Sequence, residues 1–462
     1  MPRLTADAAT VGFADLAARV MGFLASVHMA STLGREGFGA ITVGLSVLSY
    51  SIWFADLGLG ALGARETARP PVGRRFMPAT IASARFLSPL AVIAIGGLAT
   101  LFVDGPIRRP LLLFFVLSVF PALLSIEWLH QGRRRFVPVA VGRVVNGSIF
   151  LAGTLLFISS THDIERVPLV YGAGFLGAAI LLLCIPRGGE RIIPRGNEWR
   201  EIAPAWRTAA AIGIGGLFAQ SVQLFPPIAL GWFSTDQAGL LGAATKITFA
   251  ALMVDRVFGA LFLPALSSLW IRDRDAAARN LQIVLRLMIA TAFLAATLIT
   301  VLARPSMSLV FGADYIDGDS SLFVLGWFVA ATLVNSFFSF GLIAAGSEKA
   351  YLRATIIGGC AAVAASIPLA WSMGSIGAAL GMLIGESALV LAAGQAFRQH
   401  ISLAITRPLV VASAVSALVI VPLRIAEVDS FWLLVATPPF YLFLLVLGGG
   451  LHLDDLRWPL KQ

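Results

Sequence analysis

The chain has 462 residues, of which 58% are apolar and only 13% charged, with a mean hydropathy of +0.86. Soluble domains carry about 25% charged residues and do not repeat apolar runs of ~20 residues, so a soluble enzyme is excluded. The net charge of +9 does not point to nucleic acid either, because the basic residues are spread through short loops between apolar runs, where they set membrane orientation.

The runs are continuously apolar rather than alternating with period two, which predicts an all-α polytopic membrane protein and not a barrel. Runs of ~20 apolar residues bounded by charge, Gly or Pro predict about fourteen transmembrane helices. Six come first, at 10–31, 37–62, 78–103, 111–130, 138–158 and 167–186. The first run carries Asp15 and Arg19, which suits a retained helix better than a cleaved signal peptide. A polar bridge at 187–204 follows, with arginines at 187, 191, 195 and 200 and glutamates at 190, 198 and 201. Six more runs lie at 205–230, 240–266, 283–303, 320–341, 353–371 and 375–397, then a final pair at 408–423 and 431–450. The expected domains are therefore an N-terminal six-helix bundle (10–186), a linker (187–204), a second six-helix bundle (205–397) and a helix pair (408–451).

Alternate loops differ sharply in basic charge. One side receives 21 Lys and Arg, the other only Arg35, Arg108, Arg109, Arg166, Arg304 and Arg424. The richer side is cytoplasmic by the positive-inside rule, which places both termini and the bridge in the cytoplasm. The halves also echo each other: Asp56 and Asp255 each open the pattern D-x-x-x-G-A-L, and Gly132-Arg-Arg-Arg-Phe faces Gly346-Ser-Glu-Lys-Ala-Tyr. An even number of helices per half would relate the two bundles by a pseudo-twofold axis along the membrane normal.

No Walker loop, HExxH or Gly-x-Ser-x-Gly occurs, the five histidines are scattered, and Cys184 and Cys360 lie inside apolar runs. No enzyme, cofactor, metal site or disulfide is expected. The acidic stretch 314–319 lacks the later glutamate of a calcium loop and is expected to be solvated.

Several stretches resemble one family. They are Leu33-Gly-Arg-Glu-Gly-Phe-Gly39, Ala55-Asp-Leu-Gly-Leu-Gly60 and Ala64-Arg-Glu-Thr-Ala-Arg69, then Val310-Phe-Gly-Ala-Asp-Tyr315, Ala345-Gly-Ser-Glu-Lys-Ala-Tyr-Leu-Arg353 and Gly374-Ser-Ile-Gly-Ala-Ala-Leu-Gly381. Over residues 10–400 the chain resembles the Wzx-type polysaccharide flippases of the multidrug/oligosaccharidyl-lipid/polysaccharide exporter superfamily. The resemblance implies two six-helix bundles around a central cavity, alternating access, and an undecaprenyl-diphosphate-linked oligosaccharide carried from the inner to the outer leaflet of the bacterial inner membrane. Implied partners are that lipid-linked oligosaccharide, membrane lipids and polysaccharide polymerase or assembly proteins, with the protein itself a monomer. A multidrug or peptidoglycan-precursor exporter on the same scaffold is the alternative, and a membrane-embedded glycosyltransferase or polymerase a more distant one.

Seven cations fall within the runs (Arg19, Arg85, Arg143, Arg207, Lys246, Arg256, Arg286) against five acids, Asp15, Asp56, Glu127, Asp255 and Glu386. Each costs at least ~2.5 kcal/mol at bilayer depth, so deep ones need a partner or a wet cavity. Arg207 and Arg286 sit near a cytoplasmic end and can snorkel. Arg19, Arg85, Arg143 and Arg256 are expected to bind the diphosphate, which guanidinium grips as a fork. Gln220 and Gln223 are expected to meet sugar hydroxyls. Asp15 and Arg19, one turn apart, form either a structural ion pair or part of the cavity wall. Asp15, Asp255 and Glu386 are the ion-coupling candidates, Glu386 serving either as a proton carrier or as a hydrogen-bond acceptor for a neighbouring helix.

Overall fold

A computed structural model of the protein describes residues 2–103, 107–185, 189–253, 274–401, 403–425 and 432–451. All regular structure among these residues is helical, in agreement with the expected class. Ten described helices are long and apolar enough to cross a membrane, and Leu433–Leu447 is a shorter apolar one. Two pairs of expected runs are continuous but for one residue and so count as one helix each, and of the run at 240–266 only residues up to 253 are among those described. The chain forms two compact units, 1–220 and 221–462.

Unit 1 opens with α1 (Pro2–Asp56), which breaks at Gly34 (φ 71°). Its first arm runs parallel to α7 (Phe136–Phe157): Asp15 reaches Arg143 and, further along both helices, a His28 ring nitrogen meets the Ile158 carbonyl at 2.9 Å. Its second arm returns, so that Asp56 lines a cavity together with Arg143. The chain continues through α2 (Leu59–Ala68), α3 (Pro78–Ala99), α4 (Arg108–Phe114), α5 (Phe120–Leu124), α6 (Glu127–Gly132), α8 (Val167–Cys184) and α9 (Ile202–Gly231). The last of these extends past residue 220 into the second unit.

Two interruptions shape unit 1. The expected helix 37–62 stops at Asp56, because Leu57 (φ 36°) and Gly58 (φ 85°) take left-handed backbone. Only a residue without Cβ fits at 58, where the added carbon would lie 2.6 Å from the Ala209 carbonyl oxygen of α9. The expected helix 111–130 is not one unbroken helix. It passes from α4 through a π turn (Phe115–Val119) into α5, breaks at Ser125 (ψ 126°) and restarts as α6. Both restarts rest on one apolar core that includes Leu59, Leu62, Ile81, Ile126, Leu129 and Ala205.

Unit 2 comprises α10 (Thr235–Ala251), α11 (Arg274–Val301), α12 (Ala303–Phe311), α13 (Asp319–Ala344), α14 (Glu348–Phe397), α15 (Thr406–Ile425) and α16 (Leu433–Leu447). Gly374 (φ 59°) turns α14 back on itself. Its arms pack through small residues: Gly381 abuts Ser366, Gly385 abuts Ala362, and Gly358 abuts Leu389. Such residues let helix backbones approach closely where lipid offers no hydrophobic drive for association. The terminal pair packs on α11, burying Ala412, Val415, Tyr441 and Leu445 and setting the Thr297 and Ser416 hydroxyls 3.0 Å apart.

Candidate functional site

The two interruptions meet at one polar cavity inside the apolar helices of unit 1. Ending α1 at Asp56 leaves the first N–H groups of α2 without partners, and the Asp56 carboxylate accepts from the Gly60 N–H at 3.2 Å with each oxygen. The break at Ser125 frees a carbonyl, an expensive group inside a bilayer unless it is bonded. Arg85 of α3 serves both: its Nε donates to Asp56 at 2.6 Å and its Nη1 donates to the Ser125 carbonyl at 2.7 Å. The pair is largely buried, with side chains 12% and 17% exposed.

A second chain of charges adjoins it. Arg143 of α7 donates to Glu127 from Nη2 (2.6 Å) and Nε (3.1 Å) and to Asp15 from Nη1 (3.2 Å). Asp15 also accepts from Arg19 Nε at 2.9 Å, and Glu127 accepts from the Gln131 amide at 2.8 Å. Arg143 and Glu127 are less buried, at 32% and 30%. The cavity of about 330 Å³ is lined by Asp56, Arg85, Glu127, Gln131, Arg143 and Asn146, with Trp53, Trp128 and Phe175 among the apolar walls. That size falls at the lower end of small-ligand sites, about 300–1,000 Å³. Phe175 is held edge-on to Tyr171, ring centres 5.2 Å apart.

The arrangement is a set of forked guanidinium donors balanced by acids. Seven in-span cations against five acids suggested surplus positive charge, yet here Arg19, Arg85 and Arg143 face Asp15, Asp56 and Glu127. An incoming anion would therefore compete with carboxylates rather than fill a vacant positive site. Such exchange is chemically simple, because phosphate and carboxylate take the same fork. Among the described residues no group of three His, Cys, Asp or Glu is placed to hold a metal.

The structure gathers Asp15, Arg19, Arg85 and Arg143 in this one region, with Arg85 and Arg143 on the cavity wall and Arg19 beyond it. Gln220 and Gln223 are half-buried on α9 and do not line this cavity. Glu386 of α14 is buried in unit 2 and accepts from the Asn335 amide at 2.8 Å, whose oxygen accepts from Ser339 at 2.9 Å. Asp255 and Arg256 lie outside the described residues. Sequence reasoning placed Asp56 and Glu127 in the membrane without assigning them to the site, and it missed Gln131 and Asn146. The Gly58–Gly60 pair beside Asp56 was the signal that a helix restarts there.

The model of the family described as polysaccharide biosynthesis protein matches residues 4–270, more than half of the chain. The chain belongs to this family. The match bears out the resemblance carried by the motifs at 33–69. No curated protein sequence matches. Among solved structures, the family member is similar to the lipid II flippase MurJ in an inward closed conformation, with TM-score 0.75 and 13% identity over 98% of this chain and 99% of that one. It is also similar to a multidrug resistance MATE transporter facing inward, with TM-score 0.66 and 13% identity over 84% and 97%. A third is a transporter of the same superfamily from Pyrococcus furiosus, with TM-score 0.54 and 12% identity over 84% and 93%. At these identities the likeness establishes the fold alone, an all-helical one shared with multi-pass membrane proteins.

Proposed function

We propose that the protein carries undecaprenyl-diphosphate-linked oligosaccharide from the inner to the outer leaflet of the bacterial cytoplasmic membrane, by alternating access, for surface or exopolysaccharide assembly. The observation that supports this reading most is the cavity in which Arg85 and Arg143 stand between two interrupted helices. Interrupted helices at bilayer depth are where secondary transporters build binding sites, because freed backbone and helix ends can face the ligand. A diphosphate would draw Arg85 and Arg143 from Asp56 and Glu127. The amides of Gln131 and Asn146 can donate to and accept from sugar hydroxyls, and Arg19 would keep Asp15 paired when Arg143 turns to the cargo. The family supports polysaccharide assembly as the setting, and the fold likeness to a lipid II flippase supports a lipid-linked cargo.

The deciding experiment reconstitutes the purified full-length protein in vesicles with a fluorescent undecaprenyl-diphosphate-linked disaccharide. Dithionite quenching should report exchange between leaflets without ATP. Exchange no faster than in protein-free vesicles, with export of cationic dyes instead, would replace this reading by a multidrug exporter. The proposed orientation, with both termini and the bridge cytoplasmic, is checked by reporter fusions at Gly196 and at the C-terminus. An external signal from either overturns it.

A further inference from the structure

Beside the charged cavity of unit 1 lies a second, apolar cavity of about 400 Å³, and the two share a wall formed by Arg85, Ser125 and Trp128. The floor of the second is α3 (Ala82, Ser83, Phe86), and its roof is the bridge, through Ile192, Ile193 and Trp199. The bridge is not a loose connector here. Glu190 accepts from Arg74 Nη1 at 2.9 Å and from Arg133 Nη2 at 2.7 Å, and Ile192 packs on the unit 1 core. Yet Ile193 and Trp199 are 70% and 52% exposed, as are Phe86 and Leu87 of α3 at 47% and 44%. A strap that carries Arg191, Arg195 and Arg200 among exposed apolar side chains suits the boundary between head groups and hydrocarbon.

We propose that this apolar cavity holds the polyprenyl segment next to the diphosphate of the lipid-linked cargo, while the diphosphate lies against Arg85 in the charged cavity. The inference rests on the function proposed above. A lipid-linked sugar has one abrupt boundary between polar and apolar parts, and a site for it must place a charged pocket and a greasy pocket in contact. Arg85 marks that boundary: it lines both cavities, and its guanidinium donates to Asp56 and to the Ser125 carbonyl. An ordinary phospholipid offers one phosphate and two acyl chains instead of a diphosphate on a single polyprenyl chain, and it is the control for a cavity whose charged lining residue is Arg85.

The test measures ligand retention by native mass spectrometry on the full-length protein, with undecaprenyl diphosphate, inorganic diphosphate and phosphatidylglycerol as separate probes. Ser83→Trp fills the cavity, and Ile193→Asp charges its exposed roof without touching the core, so the second variant decides if the first misfolds. Both should weaken undecaprenyl diphosphate about tenfold or more and leave inorganic diphosphate within about twofold. Unchanged undecaprenyl diphosphate binding in Ile193→Asp would overturn the assignment. An equal loss of phosphatidylglycerol would overturn it too, by making the cavity a general lipid pocket. Binding that responds to Arg143→Ala but not to the cavity variants leaves the proposed function standing and removes this inference alone. A wild-type protein that retains neither diphosphate removes both.

Discussion

Replacing Arg143 by alanine separates binding from architecture. The guanidinium makes three contacts, to Glu127 at 2.6 and 3.1 Å and to Asp15 at 3.2 Å. After its removal Asp15 keeps Arg19 at 2.9 Å, whereas Glu127 keeps only the neutral amide of Gln131 among its described partners. Breaking one side of a fully buried ion pair costs about 3–5 kcal/mol, and an exposed pair is worth about 0–1 kcal/mol. With these side chains near one-third exposed, the loss should be about 1–2 kcal/mol, or a fall of about 1–2 °C in the melting temperature of the detergent-purified protein. Adding Glu127→Gln removes the stranded charge and should restore most of that stability. It should not restore export, scored as surface polysaccharide in a strain that lacks its own flippase. Arg143→Lys should export partially, because an ammonium keeps the charge but loses the fork. The reasoning fails if the double variant exports as well as wild type, since Arg143 would then only neutralise Glu127.

Glu386→Gln preserves an acceptor for Asn335 and should leave expression unchanged; if Glu386 carries a coupling proton, export loses its pH dependence, and an unaltered pH profile removes the residue from the ion-coupling candidates. Gly377→Val should collapse expression, because the added carbons meet the Leu369 carbonyl across the α14 hairpin; normal yield on gel filtration would refute that packing. Burial pushes the Glu190 carboxyl up, but hydrogen bonds and charge from Arg133 and Arg74 outweigh it and hold it below its ordinary value of 4.5. A depressed carboxyl contributes stability that is full above pH 4.5 and lost as pH falls through its lower folded value. Glu190→Gln should therefore lower the melting temperature at pH 7, with a gap from wild type that narrows below pH 4.5; a gap constant down to pH 3 would refute the bridge to Arg74 and Arg133.

The sequence by itself determined the class of molecule and the approximate position of most crossings, because a bilayer demands ~20 apolar residues per span whatever the packing. It also singled out Asp15, Arg19, Arg85, Arg143 and Glu386 as charges within apolar runs, where an ionised group is costly and needs a partner. Tertiary structure decided what those charges do. Asp56 pairs with Arg85 across 29 residues, and Asp15 with Arg143 across 128. Hydropathy is a one-dimensional average and holds no information about which helices touch. It also read 111–130 as one helix, because a break at Ser125 changes no residue's apolarity and is stabilised by Arg85 from a different helix. The surplus of in-span cations was real as a count, yet around the cavity Arg19, Arg85 and Arg143 are matched by Asp15, Asp56 and Glu127 once the partners are paired in space. What stands there is a set of three arginines shared among three acids, and only folding creates that geometry.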